Sequence, residues 1–229
     1  MVMTGKRTTA NTKLVDPAKV YKLEDGIKLL KAAKGAKFDE TVNIALNLGI
    51  DVKKTEQSVR GAISLPHGTG NSLRVIAFVK DPNKQEAARK AGAIEVGTDE
   101  LVKKVADGWT DFDVAIAAPD MMGPVGKLGK VLGPQGKMPT PKSGTVTADV
   151  EKAVREFAAG KIEFRSDAAG TVHAPVGKKS FDEQRLAENV RAFIAAINAL
   201  RPAATKGTFI RKVSLANTMG PGVSIDPAL

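Results

Sequence analysis

The glycine- and lysine-rich stretch from Pro119 to Pro141 is the first place in this sequence where the residue types suggest chemistry. Glycine amides and lysine ammonium groups are the donors that hold phosphate groups in nucleotide-binding loops. A P-loop needs a further glycine five positions before its Gly-Lys pair. For the three Gly-Lys pairs of this stretch, that position holds Val131, Pro124 and Met121. The spacing therefore excludes a P-loop.

The same stretch predicts a helix followed by a loop. Met122, Val125 and Leu128 recur at the spacing of one helix face. Gly126 and Gly129 would each destabilise that helix by about 1 kcal/mol relative to alanine, so we expect them to permit close packing against another backbone.

No set of residues in the sequence matches a known catalytic site. There are no cysteines, which excludes disulfides, cysteine-zinc sites and thiol catalysis. The two histidines, His67 and His173, lack metal-ligand spacing, and no serine lies in a G-x-S-x-G motif. Adjacent acids such as Asp39 and Glu40 point to opposite faces of a strand and are expected to be solvated. The sequence thus predicts no enzyme, metal or cofactor.

Cations, hydroxyl groups and an aromatic ring are instead grouped in two segments. The first, 37–41, places a lysine, a phenylalanine and a threonine at the start of a predicted strand. In the second, 206–222, Ser214 lies on the polar face of a strand that ends in the turn TMGPG. Thr218 in that turn can bond a phosphate or a ribose hydroxyl. An ordinary turn, and a core position for Phe38, would explain the same residues without a ligand.

The distribution of charge supports a polyanionic partner. The formal net charge is +10. Residues 67–160 hold 13 cations and 12 anions, whereas the remainder holds 22 and 13. The excess therefore lies in the two outer segments, which is typical of nucleic-acid binding. Because only 4% of residues are aromatic, folded RNA read by shape, backbone and 2′-hydroxyls fits better than a single strand stacked on exposed rings.

Targeting signals for a membrane or for secretion are not evident. No apolar run approaches the roughly 18 residues of a membrane span. The N-terminal sequence MVMTGKRTTANTK lacks the apolar segment of a secretory signal. A mobile basic tail is favoured over an organelle transit peptide. We therefore expect a cytoplasmic protein with no membrane partner.

The two outer segments predict an α+β sandwich. Residues 37–48 alternate apolar and polar side chains, as in a half-buried strand. Residues 161–165 and 171–176 read as a hairpin, with Arg165 and His173 on its polar face. Ser180 with Glu183 predicts a capping box for a helix over 182–200. Neither segment has enough elements for a core by itself, so we expect them to fold together.

The middle of the chain has a different pattern of apolar residues. A nearly continuous apolar run at 73–79 predicts a strand covered on both faces, and strands then alternate with helices up to residue 159. This pattern predicts a three-layer α/β domain with a mostly parallel sheet. We therefore expect a discontinuous α+β domain at 1–67 and 160–229 with an inserted α/β domain at 68–159, hinged at the crossings near 66–72 and 158–161.

Several blocks of the sequence, in the same order, resemble the family of the first large-subunit ribosomal protein in its bacterial form. They are KFDETVNIALNLGID, VRGAISLPHGTG, VGKLGKVLGPQGKMPTPKSGTVT, GKIEFRSDAAGTVHAPVGK, NVRAFIAAINALRP and KGTFIRKVSLANTMGPG. The resemblance covers nearly the whole chain. It departs from the family in the third block, where members commonly have GPRGLMPNP and this chain has Gln135, Lys137 and Thr140. RNA contacts of the loop 133–142 are left open by that departure.

The resemblance implies a structural constituent of the large ribosomal subunit. Its discontinuous domain is expected to bind the stalk region of 23S ribosomal RNA, and its inserted domain to be Rossmann-like. It is further expected to help move deacylated tRNA out of the exit site and to repress translation of its own operon mRNA. Carried over by position, the RNA contacts fall on Phe38, Glu40, Thr41, Ser214, Thr218, Met219 and Gly220. Charge and strand face add Lys37, Arg165, His173 and Lys206.

Two functions from other classes are alternatives. One is an α/β small-molecule enzyme with a basic accessory domain, because crevices at the strand ends of α/β sheets bind ligands. The other is a DNA-binding protein, which the positive charge alone would also fit.

Overall fold

The computed structural model describes residues 5–52, 54–203, 205 and 207–227, and shows a mixed α/β protein with several sheets. The chain divides into two compact units. Residues up to Gly70, together with those from Ile162 onward, form the terminal unit, and Asn71–Lys161 form the inserted unit. These limits lie within three residues of the predicted domain boundaries. Independent folding of each unit stays a prediction.

The elements of the described residues are numbered in chain order. The helices are α1 (Lys6–Thr12), α2 (Leu23–Ala32), α3 (Pro82–Lys90), α4 (Asp99–Ala106), α5 (Met122–Gly126), α6 (Gly129–Leu132), α7 (Val150–Ala158) and α8 (Glu183–Ala199). The strands are β1 (Thr41–Leu48), β2 (Arg60–Ile63), β3 (Val75–Phe78), β4 (Glu95–Gly97), β5 (Val114–Ala117), β6 (Ile162–Arg165), β7 (Thr171–Lys178), β8 (Ile210–Asn217) and β9 (Gly222–Ile225). Short 3₁₀ turns lie at Thr55–Gln57, Pro119–Met121 and Pro141–Ser143.

The terminal unit is built on a four-stranded antiparallel sheet in the order β7-β1-β8-β9. Strand β1 comes from the N-terminal segment and lies between two strands of the C-terminal segment. Ile44 at its centre is opposite Ala174 on β7 and Leu215 on β8. Strands β2 and β6 form a separate antiparallel pair. The two ends of the chain therefore share one sheet.

One face of this sheet forms the core of the terminal unit. Alternate β1 residues are buried, as predicted, since side chains of a strand point to opposite faces. Ile44 and Leu215 belong to the same buried cluster as Ile27 of α2 and Phe193 of α8. Phe193 also meets Phe164 of β6 edge to face, with ring centroids 5.5 Å apart. Burial of side chains of this size contributes about 1.5–3 kcal/mol each.

The inserted unit has a three-stranded parallel sheet in the order β4-β3-β5. All four residues of β3 are fully buried, so the predicted coverage on both faces is confirmed. Ile76 and Phe78 pack with the residues of α4 to α6, including Leu101 and Val125. Helix α7 lies against β3 and β5 and also contacts α3. Helices therefore cover this sheet from both sides.

Three local predictions are wrong. The segments 161–165 and 171–176 do not pair as a hairpin, because β6 pairs with β2 and β7 with β1, and an isolated bridge between Ser166 and Val172 links them. The helix expected from Met122 onward is interrupted, giving the short helices α5 and α6, and a Cβ atom at Gly126 or Gly129 would meet nothing within 4 Å. These glycines permit no close packing. The capping box also does not form, because α8 begins after Asp182 without a side-chain cap and the Ser180 hydroxyl bonds elsewhere.

Candidate nucleic-acid interface

The face of the four-stranded sheet opposite the core carries small and polar side chains, and we call it the open face. Strand β1 places Thr41, Asn43, Ala45 and Asn47 there, all half-buried or exposed. Ala45 is opposite His173 on β7 and Ser214 on β8. His173 and Ser214 are therefore on one face, with only an alanine between them, as the strand periodicity predicts.

The two predicted segments meet at one end of the open face. The Thr41 N–H donates to Thr218 Oγ1 at 3.0 Å, and the Thr218 N–H donates to the Thr41 carbonyl at 3.0 Å. The Thr218 hydroxyl also donates to the Thr41 carbonyl, at 3.2 Å. We call this pair of residues the threonine junction. It joins positions 177 residues apart in the sequence.

These bonds determine which atoms of the junction are left for a ligand. A hydroxyl group has one donor and two acceptor positions. Thr218 uses its donor and one acceptor within the junction, so one acceptor position is left. Thr41 Oγ1 accepts a hydrogen bond from Lys178 Nζ at 3.0 Å, so its own O–H and a second acceptor position are left. Among the described residues, the junction thus offers one acceptor from Thr218, and one donor and one acceptor from Thr41.

Two apolar side chains flank the junction in sequence. Phe38 is 53% exposed and Met219 is 52% exposed. A core position for Phe38 is thereby excluded. Exposed phenylalanine and methionine side chains at a polar junction provide apolar surface against which a base or a ribose can pack.

Residues 33–40, which precede β1, form a loop. The strand predicted over 37–48 therefore begins at Thr41, and its expected first four residues belong to this loop. Glu40 is only 2% exposed, and its Oε1 accepts the Ala36 N–H at 2.7 Å. The Glu40 carbonyl accepts the Lys179 N–H, and Lys179 Nζ donates to the Ala33 carbonyl at 2.5 Å. The expectation that Glu40 is solvated is wrong, because its carboxylate holds the loop together from inside.

Asn11 of α1 holds the same loop from the other side. Its Nδ2 donates to the Lys34 carbonyl and its Oδ1 accepts the Lys34 N–H, both at 2.9 Å. Nearer the strand, the Ser180 hydroxyl donates to Asp39 Oδ2 at 2.7 Å. Phe38 is therefore held in a loop that is hydrogen-bonded both before and after it in sequence. Such a loop loses less conformational entropy when it binds a ligand.

The turn after β8 is anchored as well. Asn217 is buried, and its Nδ2 donates to the Leu30 carbonyl of α2 at 2.8 Å. The Gly220 N–H closes the turn on the Asn217 carbonyl at 3.0 Å. A Cβ atom at Gly220 would lie 3.0 Å from Asn217 Cβ, closer than most such contacts. Glycine is favoured at this position for that reason.

The remaining predicted residues are spread more widely. Lys37 is exposed in the loop. Arg165 is exposed on β6, opposite Arg60, which pairs with Glu163 at 2.7 Å. Lys206 lies outside the described residues.

A carboxylate close to His173 of the open face belongs to Asp167, at the turn between β6 and β7. The Thr171 N–H hydrogen-bonds its Oδ1 at 2.7 Å and lowers the pKa of Asp167. His173 Nε2 lies 3.7 Å from the other carboxylate oxygen. Asp167 is therefore an anion at neutral pH that faces the His173 ring.

Three residues of this region were not found from the sequence. Lys178 contacts the threonine junction, whereas Lys179 and Asn11 fix the loop 33–40. The alternation of β7 places Lys178 on the core face, and Asn11 lies in a segment that reads only as a basic tail. No signal in the sequence pointed to Lys178 or to Asn11 as part of this region.

Comparison with known proteins decides the family. The ribosomal protein L1p/L10e family matches residues 29–221, which is most of the chain. The chain belongs to this family. It is 50% identical over 222 residues to the large ribosomal subunit protein uL1 of Kosmotoga olearia, and the match covers 97% of this chain and 96% of that protein.

Membership of the family establishes the class of function. The protein is a structural component of the ribosome in the cytoplasm and is not an enzyme. The alternative of an α/β small-molecule enzyme is not supported. Across the part of the chain that the structure describes, no group of acidic or histidine side chains could hold a metal ion. No described helix is both long and apolar enough to cross a bilayer.

Proposed function

We propose that the open face binds folded RNA, namely the stalk region of 23S ribosomal RNA, and that the threonine junction is the centre of the contact. The observation that carries this proposal is the junction itself. It brings the two predicted segments together between the exposed side chains of Phe38 and Met219. The excess positive charge of the outer segments supports a polyanionic ligand.

The free acceptor of Thr218 favours a sugar or a base over a phosphate as its partner. Phosphate oxygens only accept hydrogen bonds, so they cannot fill the remaining position of this hydroxyl. A ribose 2′-hydroxyl or a base amino group can donate to it, and the 2′-hydroxyl is what distinguishes RNA from DNA at such a contact. We therefore assign Thr218 to a sugar or base, and the phosphate contacts to cations around the junction.

We further propose that the terminal unit is an α+β sandwich domain and that the inserted unit is a Rossmann-like three-layer domain hinged to it. The parallel sheet with helices on both sides supports the second assignment. The crossing that leaves the terminal unit is held by Asn189, whose Oδ1 accepts the His67 N–H at 3.1 Å and whose Nδ2 donates to the Gly68 carbonyl at 3.0 Å.

The family also supports two roles that follow from RNA binding. We propose that the protein helps to move deacylated tRNA out of the exit site, and that it represses its own operon mRNA through an RNA element similar to the stalk. The relative from Kosmotoga olearia is a large ribosomal subunit protein. The resemblance supports assigning both roles to this chain.

Gel shifts with a stalk 23S ribosomal RNA fragment test the proposal. Thr218→Val should weaken binding at least about fivefold, because it leaves an RNA donor without its acceptor. Met219→Asp should abolish binding by placing a carboxylate against the RNA. Thr110→Val, at a half-buried position of the inserted unit, is the matched control. Wild-type affinity in both junction variants, or displacement of the RNA by duplex DNA, would contradict the assignment.

A further inference from the structure

A β-bulge in β7 decides which side chain stands beside the threonine junction. From Thr171 to Pro175 the register with β1 is regular, and Pro175 is opposite Asn43. The register then shifts, so that Gly177 is opposite Val42 and Lys178 is opposite Thr41. One extra residue in a strand reverses the facing of those that follow. Lys178 therefore reaches the open face, whereas strict alternation would turn it towards the core.

The stem of Lys178 is fixed by its neighbours. Gly70 has a φ of +75°, and a Cβ atom there would lie 2.9 Å from Lys178 Cγ and 3.0 Å from the Phe181 ring. The chain at Gly70 thus passes in contact with both side chains. The other end of Lys178 is held by the bond of its Nζ to Thr41 Oγ1. Lysine normally loses much rotamer entropy on binding, and a stem that is already held reduces that loss.

The ammonium group of Lys178 has capacity for a further partner. It carries three N–H donors and gives one of them to Thr41. Within the described ranges, no carboxylate lies at ion-pair distance from it and it makes no further hydrogen bond. The next residue differs, since Lys179 Nζ donates to the Ala33 carbonyl inside the loop. Two adjacent lysines therefore have different environments.

We propose that Lys178 is a phosphate-binding residue of the open face, which grips a phosphodiester of the RNA next to the nucleotide held by the threonine junction. The proposal rests on the RNA-binding function proposed above. A held ammonium group beside hydroxyls with a free donor and a free acceptor is suited to one nucleotide of an RNA strand, because the cation takes the phosphate and the hydroxyls take the sugar.

The salt dependence of binding separates a phosphate contact from a structural role. The dissociation constant of the intact protein for the stalk RNA fragment is measured between about 50 and 200 mM salt, where each phosphate contact contributes close to one unit to the logarithmic slope. Lys178→Met should weaken binding roughly tenfold and reduce the slope by about one. Lys178→Arg, which keeps the charge, should restore the slope.

Lys179→Met is the matched control, since it removes a neighbouring lysine whose ammonium is already used within the protein. It should loosen the loop 33–40 and leave the salt slope unchanged. Thermal unfolding of each variant checks the fold. If Lys178→Met does not fold, Lys178→Gln takes its place, because its amide can still donate to Thr41.

Two results would overturn the proposal while leaving RNA binding intact. The first is wild-type affinity and slope in Lys178→Met. The second is weaker binding with an unchanged slope, which would make Lys178 a support for Thr41 alone. Absence of specific RNA binding by the wild-type protein would instead remove the proposed function, and this inference with it.

Discussion

The four-stranded sheet of the terminal unit and the three-stranded sheet of the inserted unit differ in what their faces carry. Strand β3 of the inserted unit is buried along its whole length, with helices packed on both sides. Strand β1 of the terminal unit is buried only at alternate residues and turns small polar side chains to the other face. Since binding needs an accessible surface, the comparison favours the terminal unit for the proposed RNA contact.

The charge of the two units differs in the same direction. The window 67–160 is nearly neutral, whereas the outer segments hold 22 cations against 13 anions. A nearly neutral unit whose sheet is covered on both faces is not expected to bind RNA. A basic unit with an exposed sheet face is suited to bind it. Substitutions in the inserted sheet should therefore affect stability, and those at the open face should affect binding.

The largest effect is expected from Phe78→Ala in β3. Its fully buried ring fills the core of the inserted unit, so the substitution should lower the free energy of unfolding by about 3–5 kcal/mol. Trp109, the only tryptophan, lies in this unit with its ring 5.6 Å from Phe112, and its fluorescence in a urea titration follows the loss. The RNA affinity of the folded variant should stay at the wild-type level. An unchanged urea midpoint would contradict the assignment of this sheet as a covered core.

Phe38→Ala should weaken RNA binding and leave stability almost unchanged, the reverse of the result expected for Phe78→Ala. Because this ring is more than half exposed, its removal should change stability by less than about 0.5 kcal/mol. Loss of its packing against the RNA should weaken binding by about 1–3 kcal/mol. Isothermal titration with the stalk fragment measures the change, and an affinity equal to that of the wild type would remove Phe38 from the interface.

Asn11→Ala tests whether the loop 33–40 is held in advance for binding. The substitution removes both bonds to Lys34, and we expect a loss of binding of about 1 kcal/mol. In a Phe38→Ala background the same substitution should have almost no further effect, because it acts through the presentation of that ring. Thr12→Ala, on the same helix, is the control. Equal losses in both backgrounds would point to general destabilisation.

The smallest effect concerns the inserted unit at low pH. Hydrogen bonds from the Arg74 side chain and backbone lower the pKa of Asp113. The pair therefore stabilises the folded state above the ordinary pKa range of a carboxyl group, and this contribution is lost as the pH falls through the pKa of Asp113. Asp113→Asn should remove less than about 1 kcal/mol at neutral pH and flatten the acid side of the stability curve. An unaltered acid profile in urea titrations followed by Trp109 would contradict this.

Elements with a strong periodic pattern could be predicted from the sequence. The alternation of β1 and the continuous apolar run of β3 were read from local patterns, since side-chain periodicity is a local property. Strands β6 and β7 were also found from their sequence, but not their pairing, because β6 pairs with β2 and β7 with β1. The candidate residues of the turn after β8 were also found, because glycine and proline mark such turns.

What could not be predicted depends on bonds between distant parts of the chain. Ser180 has the spacing of a helix cap, but its hydroxyl bonds Asp39, which lies 141 positions away. Glu40 resembles a surface acid, and only the fold shows that it accepts the Ala36 amide inside a loop. The bulge that brings Lys178 to the open face depends on pairing with β1, so no local pattern of β7 reveals it.

Hydrogen–deuterium exchange of the intact protein with and without the stalk RNA fragment tests the central claim most directly. Binding at the open face predicts slower exchange in the loop 33–40 and in the turn 218–222, with no change in the inserted strands β3 and β5. Protection confined to residues 71–161, or bound RNA without protection of either predicted segment, would contradict the account.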